Sequence, residues 1–287
     1  MTPQGDVRIL RTDHGGLAFG PRTLVVGILN VTPDSFSDGG QFANASDAVR
    51  HGLQMAADGA DLIDIGGEST RPGSDPVPPG IQIDRVLPVI TALRADGLKC
   101  PISIDTQSAE VARSALEAGA DIVNDISAAQ NDPAMAGLLA QCGAPLILMH
   151  MQGTPKTMQQ SPKYGDVITE IRAFFKRRLT DLEDAGLDPT RIILDPGLGF
   201  GKTAEHNLEI LRRVIEFRGV QPVMIGPSRK AFLGKLAPDT GPQDRLMSTA
   251  AVVAHCALSG VELVRVHDVK EMRRVANVCA AIQAGRA

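Results

Sequence analysis

Short apolar runs recur along the chain, each followed by a polar stretch and then by a segment with helical period. The runs cover residues 24–29, 62–65, 102–104, 122–123, 146–149, 192–194, 223–225 and 263–266. They are rich in Val, Ile and Leu and lack clean alternation, which predicts parallel strands buried on both faces. Between them, residues 46–58 repeat apolar positions at Val49, Leu53 and Ala56 after an Asn-Ala-Ser cap region. Residues 108–118 begin at Ser108 and place Val111, Ala115 and Leu116 on one face. Residues 168–182, 208–217, 248–258 and 270–282 show the same period, and weaker helices are expected at 82–93 and 133–141. Eight such alternations predict an α/β fold of the (β/α)8 TIM-barrel type, with a doubly wound sheet as runner-up. Residues 7–19, centred on His14-Gly15-Gly16, predict an N-terminal β-hairpin outside the barrel. No linker interrupts the pattern, so residues 1–287 read as one domain.

The residues that follow each run carry the chemistry. The first ends at Asn30, and the second runs through Asp64 to Gly73. The third ends at Asp105-Thr106, the fourth at Asn124-Asp125 and the fifth at Met149-His150. The sixth ends in Asp195-Pro196-Gly197-Leu198-Gly199-Phe200-Gly201-Lys202, the seventh in Ser228-Arg229-Lys230 and the eighth in Arg265-Val266-His267-Asp268. In a barrel these ends converge on one mouth, where such folds place their chemistry. A lone Asp after a strand is ordinarily a helix cap, but eight polar endings exceed what capping needs. Asp105, Asn124 and Asp195 offer acceptors, and one amide donor, on three strands. That set suits the edge of a flat, nitrogen-rich ring such as an aminopyrimidinone. Lys230 and Arg265 stand opposite as cations, and a guanidinium can also lie flat on a ring. Asn30, Arg265 and His267 suit a phosphate group or its Mg2+, because magnesium is commonly held through substrate phosphates with few protein ligands.

Two stretches, 31–40 and 66–80, are dense in Gly, Pro, Ser, Thr and Asp. They predict turn-rich lids over the mouth. Residues 199–203 resemble the end of a phosphate-binding P-loop, but the first glycine of that motif would fall on Pro196. The stretch therefore reads as a strand-to-helix turn whose backbone approaches a ligand. His51, His206 and His255 fall on helices and read as surface or packing residues.

Composition narrows the classes. Lys+Arg (29) fall slightly below Asp+Glu (33) without a basic stripe, and aromatics are only 3% with no Trp, which argues against nucleic-acid partners. The four cysteines, Cys100, Cys142, Cys256 and Cys279, are scattered without a C-x-x-C. They read as buried free thiols in a reducing compartment. No apolar stretch reaches membrane-spanning length and no secretory leader is visible, so the expectation is a cytoplasmic protein.

Taken in order, the motifs from Gly27 to Gly40, Asp64 to Gly73, Asp195 to Thr203, Ser228 to Lys230 and Arg265 to Asp268 resemble the dihydropteroate synthase family over nearly the whole chain. The one visible departure is Pro227, which removes no functional group. The resemblance implies a transferase of folate biosynthesis and a sulfonamide target. Its reaction is condensation of 6-hydroxymethyl-7,8-dihydropterin diphosphate with 4-aminobenzoate to 7,8-dihydropteroate and diphosphate, by an SN1-like path through a pterin cation. It implies a pterin site of Asp105, Asn124, Met149, Asp195, Phe200, Lys230 and Arg265. It also implies a diphosphate site of Asn30, Arg265 and His267, with Asn30 on Mg2+. Asp105, Lys230, Arg265 and His267 would carry the catalysis. The aminobenzoate site would draw on Thr32, Pro33, Asp34, Phe36, Ser69, Thr70, Arg71, Pro72, Ser228 and Lys230. A homodimer is implied as well. A pterin-binding methyltransferase domain shares the barrel and the Asp/Asn set, although Ser228-Arg229-Lys230 and the Thr-Pro-Asp-Ser-Phe loop argue against it. A non-catalytic paralogue acting as a partner protein is the non-enzyme alternative.

Overall fold

The structure is a computed structural model and describes residues 8–32, 41–69, 73–237 and 241–285. A two-stranded antiparallel hairpin, β1 (Arg8–Thr12) and β2 (Gly15–Phe19), precedes eight parallel strands. These are β3 (Leu24–Asn30), β4 (Leu62–Gly66), β5 (Ile102–Asp105), β6 (Ile122–Asp125), β7 (Leu146–Met149), β8 (Ile192–Asp195), β9 (Met224–Ile225) and β10 (Leu263–Val266). Hydrogen-bonded neighbours run in chain order from β3 to β8, and β10 lies between β3 and β9. A parallel bridge between Leu194 and Val223, with Leu194 N donating to Pro222 O at 2.9 Å, joins β8 to β9 and closes the barrel. The expected (β/α)8 fold is the observed one.

Strand parity sorts the side chains. Val25, Leu29, Ile63, Ile65, Ile104 and Val123 face the surrounding helices in the outer core. Leu24, Val26, Leu62, Ile122, Ile147, Ile193, Met224 and Leu263 fill the barrel interior, together with Leu10, Leu17 and Phe19 of the hairpin. The hairpin therefore plugs the bottom of the barrel. Its turn is tied there by Asp121, whose Oδ1 accepts from His14 N at 3.0 Å and whose Oδ2 accepts from Arg94 at 2.6 Å.

The helices are α1 (Gln41–Ala57), α2 (Pro79–Ala95), α3 (Ala109–Glu117), α4 (Ala134–Cys142), α5 (Val167–Asp184), α6 (Ala204–Arg212), α7 (Ala231–Leu236), α8 (Leu246–Leu258) and α9 (Val269–Ala284). Ser108 caps α3 as expected, accepting from Val111 N. Three differences have local causes. α1 already includes Asn44 and Ser46, because cap preference is weak where good helix formers such as Ala43 and Ala45 continue the period. The helix expected over 208–217 starts at Ala204 instead, behind a reciprocal cap between Thr203 and His206, and gives way to a 3-10 turn at Val214–Phe217. α7 was not expected, since Gly234 and the following Pro238 mask its six residues. All four thiols are free, and Cys256 and Cys279 are buried. Cys142 is exposed, contrary to expectation, because it ends α4 where the chain turns at Gly143. Among the described residues no helix is long and apolar enough to cross a membrane.

Candidate active site at the barrel mouth

Strand register builds the floor of the mouth. Asn30 pairs with Gly66, Gly66 with Asp105 and Asp105 with Asn124, so one level row crosses β3 to β6. Gly66 has no side chain and leaves a gap in the row between Asn30 and Asp105. Met149 and Asp195 pair on β7 and β8, each two residues beyond an interior side chain, Ile147 or Ile193, and therefore on the same inward face. One layer below the row, Ile28 pairs with Asp64 and Asp64 with Ser103.

Asp105, Asn124 and Arg265 form a connected cluster around Asp64. Arg265 donates from Nε to Asp64 Oδ2 at 2.6 Å and from a terminal nitrogen to Asp105 Oδ2 at 2.9 Å. Asn124 Nδ2 donates to the same Asp64 oxygen at 3.0 Å. Burial and the neighbouring charge of Asp64 push the Asp105 carboxyl up to about 7, against the pull of Arg265. Burial alone would lower the Arg265 guanidinium, but Asp64 and Asp105 hold it above its ordinary value. Arg265 thus keeps its charge in a half-closed site.

The second cluster joins β8 and the turn after β9. Asp195 is buried, and its Oδ1 accepts from Gly197 N at 2.7 Å. Burial raises its carboxyl, opposed by that hydrogen bond and by Lys230. The Lys230 ammonium lies 4.2 Å from the centre of the Phe200 ring, within cation–π range. Burial lowers Lys230 to about 8, while Asp195 acts the other way. Arg229, the residue before it, has φ +57, a left-handed conformation that a non-glycine residue adopts only when held. It is held by donation to Asp268 Oδ1 at 2.6 Å and by its own N–H to Thr249 at 3.2 Å. The two anchors fix the turn that delivers Lys230.

Ser228 and His267 meet directly, Ser228 Oγ lying 2.8 Å from His267 Nδ1 and accepting from His267 N at 3.2 Å. Ser228 therefore stands beside His267, one of the expected diphosphate residues. Thr32 and Ser69 are half-buried at the mouth. Pro33, Asp34, Phe36, Thr70, Arg71 and Pro72 lie outside the described residues. The chain on either side of residues 70–72 is well anchored. Glu68 accepts from Val77 N at 2.7 Å, Ser74 donates to Ser69 O at 2.6 Å, and Gly73 N donates to Pro155 O at 3.1 Å.

The turn at 197–203 approaches protein rather than ligand along much of its length. Gly197 and Gly201 have φ +70 and +62, and a Cβ on either would overlap the His150 or Gln152 carbonyl oxygen. Gly199 instead lies over the Lys230 side chain. Lys202, unlike a P-loop lysine, turns inward. It is 2% exposed and its Nζ lies 3.0 Å from His150 Nδ1, 3.2 Å from His150 O and 3.0 Å from Phe200 O. Burial lowers Lys202 to about 7 and His150 to about 2.

Sequence reasoning missed Asp64 and Lys202 as members of this constellation. Asp64 had a visible signal, a carboxylate in the middle of an apolar run that must be buried on both faces. A groove of about 720 Å³ between α1 and α2 contains none of the strand-end residues, so the outer wall is not where these polar groups converge.

A family model described as pterin binding enzyme matches residues 26–267. The dihydropteroate synthase of Synechocystis sp. is 48% identical over 265 residues, covering 92% of this chain and 91% of that one. The chain belongs to the dihydropteroate synthase family. Among solved dihydropteroate synthases, that of Yersinia pestis, in complex with a sulfonamide drug, superposes with a TM-score of 0.89 at 41% identity. It covers 96% of this chain and 100% of that one. The Xanthomonas albilineans dihydropteroate synthase with 4-aminobenzoic acid gives a TM-score of 0.88 at 40% identity, covering 96% and 99%. Dihydropteroate synthases are transferases of folate biosynthesis, and the enzyme class expected from the strand-end motifs is the one these relatives carry.

Proposed function

We infer that this chain condenses 6-hydroxymethyl-7,8-dihydropterin diphosphate with 4-aminobenzoate, giving 7,8-dihydropteroate and diphosphate. The observation that carries the reading is the row Asn30, Gly66, Asp105, Asn124 with Arg265, Asp195 and Lys230 closing around it. A flat ring seated there meets acceptors from Asp195 and Asn124 along one edge and the Lys230 cation along another. Met149 and Phe200 shape the slot, and Arg265 covers a face of the ring. The bond from the exocyclic methylene to the diphosphate oxygen breaks first, and the electron pair leaves with diphosphate. Arg265 and His267 stabilise the charge that grows on the leaving group. The resulting cation is delocalised into the electron-rich ring, with the Asp105 carboxylate beside it. The aminobenzoate nitrogen then forms the new C–N bond and loses a proton. A neutral amine needs no strong base, so this step calls for no further catalytic group.

Among the described residues, no three His, Cys, Asp or Glu side chains converge to hold a metal. A resident metal centre fits this donor set poorly, whereas a magnesium ion that arrives on the diphosphate fits it well, with Asn30 adding one oxygen. Bound there, magnesium would neutralise charge on the departing diphosphate. The lid residues Thr32, Pro33, Asp34, Phe36, Ser69, Thr70, Arg71 and Pro72, with Ser228, complete the aminobenzoate side in this reading and exclude water from the cation. The functional unit is a cytoplasmic homodimer. Exposed Met247 and Leu258 on α8 and Val278 and Ile282 on α9 supply an apolar face suited to self-association. Sedimentation of the purified protein as a monomer at micromolar concentration would remove the dimer.

The reaction is tested by diphosphate release from purified protein given both substrates and Mg2+. No release from protein with a cooperative melt would sink the assignment. Asp195→Ala should abolish binding of 6-hydroxymethylpterin in calorimetry, since an N–H edge losing a charged acceptor costs about 1.5–3 kcal/mol or more. Retained affinity would place the ring elsewhere.

A further inference from the structure

Asp64 makes none of the substrate contacts assigned above, and its place in the barrel keeps it from making any. It is fully buried, one layer below the Asn30–Asn124 row, in register with Ile28 and Ser103. Its two oxygens nevertheless gather donors from three other strands. Oδ1 accepts from Ser103 Oγ at 2.5 Å. Oδ2 accepts from Asn124 Nδ2 at 3.0 Å and from Arg265 Nε at 2.6 Å, with an Arg265 terminal nitrogen at 2.5 Å.

We propose that Asp64 is a positioning residue that fixes which atoms Asn124 and Arg265 present to the ring, and thereby sets the ring edge the site accepts. The proposal rests on the assignment of Asn124 and Arg265 to the pterin. A carboxylate can only accept, so it holds the Asn124 amide with its nitrogen downward. The amide is planar, and its oxygen then faces away from Asp64, where it accepts an N–H of the ring edge. A ring that offers a carbonyl there meets oxygen against oxygen and is rejected. The same carboxylate binds the guanidinium along its Nε side, which fixes the plane in which Arg265 can cover the ring.

An amide in place of Asp64 keeps one acceptor oxygen but loses the negative charge and turns an NH2 group toward the partners of the other oxygen, which weakens the hold on Asn124 and Arg265. Asp64→Asn should raise KM for the pterin diphosphate at least about tenfold, the effect of losing one charged hydrogen bond. KM for aminobenzoate should stay within about twofold, since that site takes nothing from Asp64. Calorimetric preference for 6-hydroxymethylpterin over its 2-oxo counterpart should fall by a similar factor. The acid limb of kcat/KM should move to lower pH. Asp105 faces Asp64, Asp125 and Glu68, which raise its carboxyl together with burial, and Arg265 and Lys230 as cations; the variant deletes the largest of the raising charges. Ser103→Ala, which frees only Oδ1, should produce a smaller change of the same kind and keeps the question answerable if Asp64→Asn does not fold.

Wild-type pterin KM and ring preference in folded Asp64→Asn, or in Ser103→Ala if that is the only variant to fold, would overturn the proposal. So would equal increases in both KM values accompanied by a lowered melting temperature, the signature of a general structural role. Asn124→Ala and Arg265→Ala serve as controls. If both leave pterin KM unchanged, the ring assignment itself falls and the role of Asp64 falls with it. If both raise it and Asp64→Asn does not, the ring assignment stands and only the positioning role is lost.

Discussion

Replacing Lys202 with methionine removes a buried cation while keeping most of its apolar stem. In the folded chain the Lys202 amine meets three acceptors, His150 Nδ1, His150 O and Phe200 O, all within 3.2 Å. Burial, helped by the nearby Lys230 and opposed by Asp195, brings its pKa from 10.5 to about 7. The unfolded chain keeps the proton up to about 10.5, so between those two values the unfolded state binds more protons than the folded one. Stability contributed by Lys202 must therefore rise with pH across this window. The full span corresponds to about 5 kcal/mol, with a maximum slope of about 1.4 kcal/mol per pH unit. Below pH 7 the amine is charged in both states, and the folded chain bears the whole cost of burying it. Methionine abolishes this dependence but leaves two carbonyl oxygens without their donor, at about 1–3 kcal/mol each. The variant should therefore match or exceed the wild type at pH 6 and become progressively less stable than it toward pH 9.5. Urea denaturation of both proteins across that range measures the difference. A difference that stays constant within about 0.5 kcal/mol would refute the reasoning, because Lys202 would then keep its proton in the folded state.

Three further outcomes follow from the geometry. Because the Asp105 carboxyl is raised to about 7 by burial and by Asp64, and its ionised form is the one that faces the pterin cation, kcat/KM should climb with pH through about 7 and fall again above about 8 as Lys230 loses its proton; a profile with no rise between about pH 5.5 and about 7.5 would take Asp105 out of that role. Leu17, 1% exposed in the barrel plug, should cost about 2–4 kcal/mol when replaced by Ala, with both KM values unchanged; a change in KM without loss of stability would contradict a purely structural plug. Gly197→Ala forces a side chain at φ +70 onto the His150 carbonyl oxygen, and it should lower the melting temperature and raise pterin KM by shifting the turn that carries Phe200; wild-type values for both would show that the turn adapts.

The barrel was legible because parallel strands covered on both faces leave an unmistakable rhythm of Val, Ile and Leu, and because each strand ends in a polar residue at the mouth. Asp105, Asn124 and Asp195 could be read as mouth residues because each directly follows the last apolar residue of its run. The parts that escaped depend on distance in space rather than on order in the chain. The downward turn of Lys202 is decided by two carbonyls, one of them 52 residues earlier in the chain. The meeting of Ser228 with His267 depends on the adjacency of β9 and β10. α7 has neither a side-chain cap nor the length to show a period. The start of α6 was missed because its reciprocal cap uses His206 where Glu or Gln is the usual partner.

The hairpin has a consequence for how the chain acquires its shape. β1 and β2 leave the ribosome before every barrel strand, yet the apolar face they bury meets residues as distant as Met224 and Leu263. The hairpin, made before the barrel strands, is thus among the last elements to find its place, and Leu10, Leu17 and Phe19 wait exposed until β9 and β10 arrive. Contacts of such long range slow folding and leave adhesive surface in partly made chains. A nascent chain truncated before β9 should hold an unfilled floor and an unplaced plug, a species that chaperones would recognise and that a complete chain never displays.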